Sequence, residues 1–566
     1  MGTTSANFSG TNDGSQIVYN YGTVHTSSGR PEAAQQDIDK DVRRSLAFPE
    51  MFDRKDNLDP RHGNTCQWIL ELEEYRSWRS RPCGLLWIKG KPGAGKSTLM
   101  AFLHNRLERP DKSPETRLEF FFSARGTELQ HTSLGMFRSL LNQIFDGDET
   151  VRPLVREFYN QRCRLLGGQR TWEWRLNKLQ ELLADTILAS AKRKPIIVFV
   201  DALDEAGVTS ARQLAQYFHQ LVDRAEEASL PLQVYISCRH YPIVETSQVT
   251  EISVEDHNEG DLAAYIRDLL TNTNVAERVG QQAMDSMVRK LIWKANGVFQ
   301  WAHITMPSIT QDILDGQNFE EITCWLNEVP AELDKLYAYI LSHLIQSRTR
   351  EQSILFLQWV CFAERPLTVV EMRYALAAPN APPIPLQPAW EKLPDFVDDD
   401  DRMVKKVKAL SGGLAEIVPG LNQKPDKTIQ VVHESVRDFF HERGLALLYP
   451  DLSNSILSSN ETLISQCQAT LYRSCLVYLA AAFSPRKTRG RNSTPQEKGL
   501  RNDPFLHYTS MNIFIHAEKA GQSRVGALQN ELDILHQVIP RWVEAWPLLR
   551  THSLELQPET GTQSYI

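Results

Sequence analysis

Gly90-Lys91-Pro92-Gly93-Ala94-Gly95-Lys96-Ser97-Thr98 decides the reading of this chain. It fits GxxxxGK(S/T) at every defined position. An apolar run, Leu85–Ile88, precedes it, and a helix-forming stretch, Thr98–Arg106, follows it. In a strand–loop–helix setting the glycines let successive backbone N–H groups turn inward toward phosphate oxygens. The helix adds its positive N-terminal end. Lys96 then reaches the β- and γ-phosphates as a point charge, and Ser97 holds Mg²⁺. The residues from Gly90 to Thr98 are therefore read as nucleotide-binding.

Working outward, Pro195-Ile-Ile-Val-Phe-Val200-Asp201-Ala-Leu-Asp204-Glu205 supplies a second half to this site. A buried strand ends in a carboxylate, Asp201, placed to hold Mg²⁺ directly or through water. Asp204 and Glu205 follow within one turn, and one of them could orient or deprotonate an attacking water. A third apolar run, Leu232-Gln-Val-Tyr-Ile236-Ser-Cys238, ends in Arg239. A cation at a strand's C-terminal edge lies on the side where open α/β sheets bind ligands, so Arg239 could sense the γ-phosphate.

The wider pattern agrees. Gly84–Lys89, Leu118–Phe122, Ile196–Val200, Leu232–Ser237 and Glu251–Val254 are short apolar runs without alternation, as in strands of a parallel sheet covered on both faces. The spacing predicts an α/β core over 82–255. Before it, Cys66, Trp68, Ile69, Leu72 and Tyr75 fall at three- and four-residue steps and predict one buried helix face within a helical linker, 31–81. After it helices dominate: Asp261–Leu270, Ala283–Ala295, Leu333–Gln346 and Ser353–Ala363. Val404–Val418, Thr428–Val432 and His433–His441 read as helix, strand and helix. Ala378–Asp401 is a proline-rich, then acidic, loop; a helical region, 446–566, is broken by a polar basic stretch, Ser484–Asn502. No fixed-period repeat array is visible.

Composition narrows the function classes. A chain of 566 residues exceeds one hydrophobic core. Net charge is −8 and the pI about 6.1, which gives no basic footprint for nucleic acid. Eight cysteines without a CxxC pair read as reduced, packed thiols of a cytoplasmic protein. Mean hydropathy is −0.37, with no run long enough for a membrane span and no signal-peptide pattern at the start.

Together the phosphate loop, the hhhhD-A-L-D-E strand and the S-x-R strand end resemble the NACHT domain, a class of signal-transducing P-loop NTPases (STAND) that includes NLR-type immune receptors. Phe48-Pro-Glu-Met…Cys66-Gln-Trp68, Phe120-Phe-Phe-Ser-Ala-Arg125-Gly126, Leu134-Gly-Met-Phe-Arg-Ser-Leu140 and Ala295-Asn-Gly297-Val-Phe-Gln-Trp301-Ala302 look like its fungal, incompatibility-type branch. The resemblance implies a parallel five-stranded sheet with the arginine-bearing strand between the P-loop and acidic strands. It also implies a helical domain, placed at 256–330, and a winged-helix domain, placed at 331–445, that close over ADP. His433, in Val432-His433-Glu-Ser435-Val-Arg-Asp438-Phe439-Phe440, would then contact the β-phosphate of the resting state. In some relatives a Gly-x-Pro turn packs on the base; here Gly297-Val-Phe299 carries phenylalanine at the third position.

Residues 1–30 form a separate, weakly charged segment that cannot bury a core alone and is expected to be disordered. Gly or Asn recurs at even positions from Gly10 to Gly22, broken only by Gln16 and Val18. This two-residue rhythm, with Asn, Gln and Tyr and no proline, suits cross-β stacking. Phe8, Gly10, Asn12, Gly14, Gln16, Asn20, Gly22 and Val24 resemble the fungal amyloid signalling motif called sigma.

The expectation is a slow NTPase switch. ATP or GTP binds with Mg²⁺, and ADP or GDP marks rest. Activation yields a homo-oligomer whose clustered N-termini template an effector carrying the same motif. Two rivals are a conventional P-loop enzyme, such as a small-molecule kinase, and a non-hydrolysing nucleotide-bound scaffold. Turnover separates them: roughly 10 per second is typical of enzymes.

Overall fold

The computed structural model describes residues 16–20, 23–27 and 31–521, with breaks at 59–60, 107–114, 166–172, 241–248, 272–280, 346, 382–389, 394, 419–426, 450–458 and 484–502, and a few positions between 536 and 543. In the N-terminal segment, β1 (Gln16–Asn20) pairs antiparallel with β2 (Thr23–Ser27), Gln16 opposite Ser27 and Asn20 opposite Thr23. The rest of the amyloid-like stretch lies outside the described residues, as does the polar break at 484–502.

The five apolar runs become β3 (Gly84–Lys89), β4 (Thr116–Phe121), β5 (Ile196–Asp201), β6 (Leu232–Cys238) and β7 (Thr250–Ser253). They form one parallel sheet in the order β4-β5-β6-β3-β7. The arginine-bearing β6 thus lies between β5 and β3, the P-loop NTPase arrangement expected from the resemblance. Side chains alternate between two apolar layers. Leu85, Trp87, Val198, Val200, Val234 and Ile236 enter one layer; Leu86, Ile88, Ile197, Phe199 and Tyr235 enter the other, with Leu99, Met100 and Leu103 of the helix Lys96–Arg106. The period of two carries that second face on to Asp201 and Ser237 at the strand ends. Alternation alone therefore turns both polar side chains toward the helix that follows the phosphate loop.

A third sheet, of β8 (Leu367–Thr368), β9 (Ala415–Val418) and β10 (Thr428–Val431), is antiparallel in the order β8-β10-β9. It is embedded among the helices 350–362, 369–377 and 400–411. The helix expected over Val404–Val418 stops at Ser411. Gly412 and Gly413 take φ of +60° and +87°, and the chain turns into β9. The residues from Cys66 to Tyr75 are also not one helix. Cys66 is left-handed at φ 69°, a short 3₁₀ turn covers Gln67–Leu70, and a helix begins only at Glu73. Cys66, Ile69 and Tyr75 are buried as the spacing predicts, but across two elements.

Among the described residues, one continuous buried cluster runs from Leu262 to Trp542, with no break at 330 or 445. No helix among them is long and apolar enough to cross a membrane. All eight cysteines are free.

Candidate nucleotide-binding site

The phosphate loop folds as its glycines require. Gly93 and Gly95 take φ of +72° and +94°, where a side chain is strained. A Cβ on Gly93 would also come within 2.4 Å of Gln300 Cβ. Lys91 and Pro92 form the outer turn, closed by Ala94 N–H donating to Lys91 O at 3.2 Å. The helix starts at Lys96, with Leu99 N–H on Gly95 O, and carries Ser97 and Thr98 in its first turn. Lys96 Nζ folds back to donate to the carbonyls of Gly90 and Lys91, both at 2.9 Å. Burial lowers its pKa, against the opposing pull of Asp204.

Opposite the loop, Asp201 is fully buried. Ser237 Oγ donates to its Oδ1 at 2.5 Å and accepts from Ala202 N–H at 2.8 Å. Burial raises the Asp201 pKa, while bonds from Ser237 and Ser97 oppose the rise. Asp201 Oδ2 has no partner. An orphaned carboxylate oxygen beside the Ser97 hydroxyl fits an oxygen-seeking ion such as Mg²⁺, which takes one or two protein ligands and completes its shell with phosphate and water. Ala202 is left-handed at φ 53°, which turns the chain sharply into Leu203–Ala206.

That turn separates the two acidic candidates. Asp204 faces Arg239: its Oδ2 lies 2.9 Å from Arg239 Nε, and its Oδ1 accepts Arg239 N–H at 3.1 Å. Glu205 turns the other way and accepts Ala124 N–H at 2.7 Å. Burial raises the pKa of Glu205, opposed first by the positive charge of Arg54.

Arg239 also reaches across to the third sheet's neighbour, the helix Glu434–Phe439, where its Nη1 lies 2.6 Å from Asp438 Oδ2. Arg125 Nη1 donates to Val431 O at 2.7 Å, and Arg437 Nη1 donates to Ala124 O at 3.2 Å. His433 caps this helix: Ser435 N–H donates to its Nδ1 at 3.1 Å. A ring nitrogen that accepts a backbone N–H carries no proton, so the neutral ring is protonated on Nε2. Burial holds the His433 pKa well below 6.5, and the charges of Arg125, Lys96, Arg239 and Arg54 push the same way.

The structure thus gathers Lys96, Ser97, Asp201, Asp204, Arg239 and His433 at one edge of the sheet, with Glu205 on the flank toward Ala124. It adds residues that local reading gave no role. Glu255 accepts Lys91 N–H at 3.2 Å, and Asn258 Nδ2 bridges Ala94 O at 3.1 Å to Gly297 O at 2.8 Å. Gln300 N–H donates to Gly93 O at 3.3 Å. The turn at Gly297 therefore braces the phosphate loop itself. Ser237 was visible as a hydroxyl inside an apolar strand; Glu255, Asn258 and Gln300 had no comparable signal.

Residues 64–239 match the family described as Nephrocystin 3, N-terminal. The vegetative incompatibility protein HET-E-1 of Podospora anserina is 24% identical over 388 residues, which are 66% of this chain and 25% of that protein. The chain thus spans about a quarter of the length of that curated relative. A Drosophila ORC structure bound to poly(dA/dT) DNA and Cdc6 aligns over 91% of this chain and 78% of its own at 12% identity, but a TM-score of 0.20 carries no structural argument. In its sheet order, its phosphate loop and these matches, the chain is similar to NACHT-like proteins of the fungal NLR type.

Proposed function

We propose that the chain is a nucleotide-operated switch held closed by a lid built from β8–β10 and the helix that His433 caps. The observation that carries this reading is Arg239. One guanidinium binds Asp204 at the nucleotide site and Asp438 on the lid, so what happens at one is felt at the other. Mg²⁺ would be held by Ser97 and Asp201 and would neutralise phosphate charge. Lys96 would exchange its two loop carbonyls for phosphate oxygens. His433, with its proton on Nε2, can donate to the β-phosphate of a diphosphate. A triphosphate competes with Asp438 for Arg239, which favours the open form. Nucleotide shifts such an equilibrium only through its different affinities for the two forms.

In this reading the lid is the winged-helix domain. Glu205 or Asp204 positions water for slow hydrolysis of ATP or GTP, opening permits homo-oligomers, and the clustered N-termini template an effector. The test is light scattering with the purine diphosphates and their non-hydrolysable triphosphates, alongside turnover. The expected result is a monomer with diphosphate, larger particles with triphosphate, and hydrolysis far below roughly 10 per second. Fast turnover with no change of mass would overturn the switch.

A further inference from the structure

The His433 ring is held by two bonds to a single residue. Ser435 N–H donates to Nδ1 at 3.1 Å, and Ser435 Oγ lies 2.8 Å from the same nitrogen. Nδ1 already accepts a backbone proton, so it has none to give, and the hydroxyl must donate to it as well. That uses the only proton on Oγ. The other group at Oγ is the Tyr337 hydroxyl, at 2.8 Å. With its own proton spent, Oγ can only accept there, so Tyr337 O–H donates. The order of protons is thereby fixed along the chain, from Tyr337 to Ser435 to His433 Nδ1. The bond made at one ring nitrogen sets the state of the other, which leaves Nε2 protonated. Among the described residues no hydrogen bond engages Nε2.

The far end of this relay is rigid. Tyr337 lies on the helix Leu333–Tyr339, 98 positions before Ser435, and is fully buried. Its ring packs edge-on against Phe439, with 5.6 Å between centroids, on the helix that His433 caps. Burial raises the pKa of its hydroxyl, so the proton stays on it. Ser435 is buried as well. Capping needs less than this: one acceptor for the Ser435 N–H completes the cap. The two hydroxyls act instead on the ring, fixing its tautomer and its orientation. The helix that the ring begins is fastened to the core, by Arg239 to Asp438 at 2.6 Å and by Arg437 to Ala124 O at 3.2 Å.

We propose that Tyr337 and Ser435 are positioning residues for His433, fixing its Nε2–H as the donor to the β-phosphate of a bound diphosphate. This rests on the nucleotide-switch reading, and the experiment separates the two. NMR of isotope-labelled histidine ring nitrogens in the full, nucleotide-free chain reports the tautomer, with the His433 signal assigned by its loss in His433→Gln. Calorimetry compares a purine diphosphate with its non-hydrolysable triphosphate for wild type, Tyr337→Phe, Ser435→Ala and the double variant. Tyr337→Phe keeps the ring that packs on Phe439. Wild-type His433 is expected to carry its proton on Nε2 alone, and Ser435→Ala to admit the second tautomer. Diphosphate binding should weaken about 5- to 10-fold in Ser435→Ala and about 3-fold in Tyr337→Phe, with triphosphate binding within about 2-fold of wild type. Tyr337 acts only through Ser435, so the double variant should bind diphosphate as Ser435→Ala does. Losses that multiply in the double variant, or that fall equally on both nucleotides, would give the two hydroxyls a merely structural role and overturn the proposal. A wild-type ring protonated on Nδ1, or unchanged diphosphate affinity in Ser435→Ala, would overturn it directly. A wild-type protein that binds neither nucleotide would overturn the switch reading beneath it, and the tautomers of wild type and Ser435→Ala would still decide whether the relay sets the ring.

Discussion

The phosphate face of the core and the seam between core and lid are built on opposite principles. On the phosphate face, Asp201 Oδ2, Asn258 Oδ1 and Gln300 Nε2 have no partner, and Lys96 rests on two loop carbonyls. Across the seam the polar groups are mostly paired: Arg239 with Asp438, Arg125 with Val431 O, and Arg437 with Ala124 O. Buried polar groups normally find partners, and exceptions mark places where something else belongs. The phosphate face keeps unpaired polar atoms, whereas the seam pairs most of its own. In the proposed switch a nucleotide would act by what it takes from the seam, and Arg239, bound to Asp204 on one side and Asp438 on the other, is the group both sides share.

The largest expected effect breaks the phosphate face alone. Lys96→Ala removes the one lysine whose charge-assisted bonds would move from carbonyls to phosphate oxygens. Nucleotide affinity should fall on the order of 100-fold or more by calorimetry. The seam does not use Lys96, so light scattering of the nucleotide-free protein should not change. Wild-type affinity in the variant would remove the phosphate-loop assignment.

The next effect tests the one poorly satisfied group of the seam. Glu434 is 7% exposed, its Oε2 has no hydrogen bond, and Arg125 Nε stands 3.8 Å away. Burial, then the nearby Glu205 carboxylate, lifts its pKa to about 7, while Arg437 and Arg125 oppose the rise. The folded pKa is above the ordinary 4.5, so the protonated form is the one the closed seam favours. Its contribution is fully present below about 4.5 and is lost as pH rises through about 7. The span is at most about 3 kcal/mol. Glu434→Gln should therefore flatten the fall in thermal midpoint between pH 5 and 8 (roughly the window set by those two values). A wild-type slope in the variant would show that the titration lies elsewhere.

The same contrast explains what could be read from the sequence. The strands were legible because each is a run of apolar residues bounded by its own turn signals. The phosphate loop, Asp201 and Arg239 were legible because chemistry at a strand end leaves a local signature. β9 was not, because amphipathic spacing runs from Val404 through Gly412-Gly413, and only the positive φ of those glycines ends the helix. The residues from Cys66 to Tyr75 misled in a similar way: spacing reports which side chains are buried, not whether one helix carries them. Gln300 stood inside a quoted motif, but its contact with the phosphate loop and its unpaired amide are properties of the folded site. Asp438 stood inside a quoted motif, yet nothing in its neighbours announces Arg239, 199 positions away.

The smallest effect is at that link, and it sharpens the comparison most. Arg239 and Asp438 side chains are 27% and 39% exposed, so their ion pair is partly screened and worth about 1 kcal/mol. Asp438→Asn weakens it without touching Asp204, leaving Arg239 free for the nucleotide site. Closure should loosen about fivefold, and triphosphate should bind more tightly than in wild type while diphosphate binding barely changes. Adding salt should mimic the variant in the wild-type protein and have less effect on the variant itself, because screening acts on a pair that the variant has already weakened. If Asp438→Asn weakens triphosphate binding instead, Asp438 supports Arg239 in its ligand-binding position, and the two faces do not compete for one guanidinium.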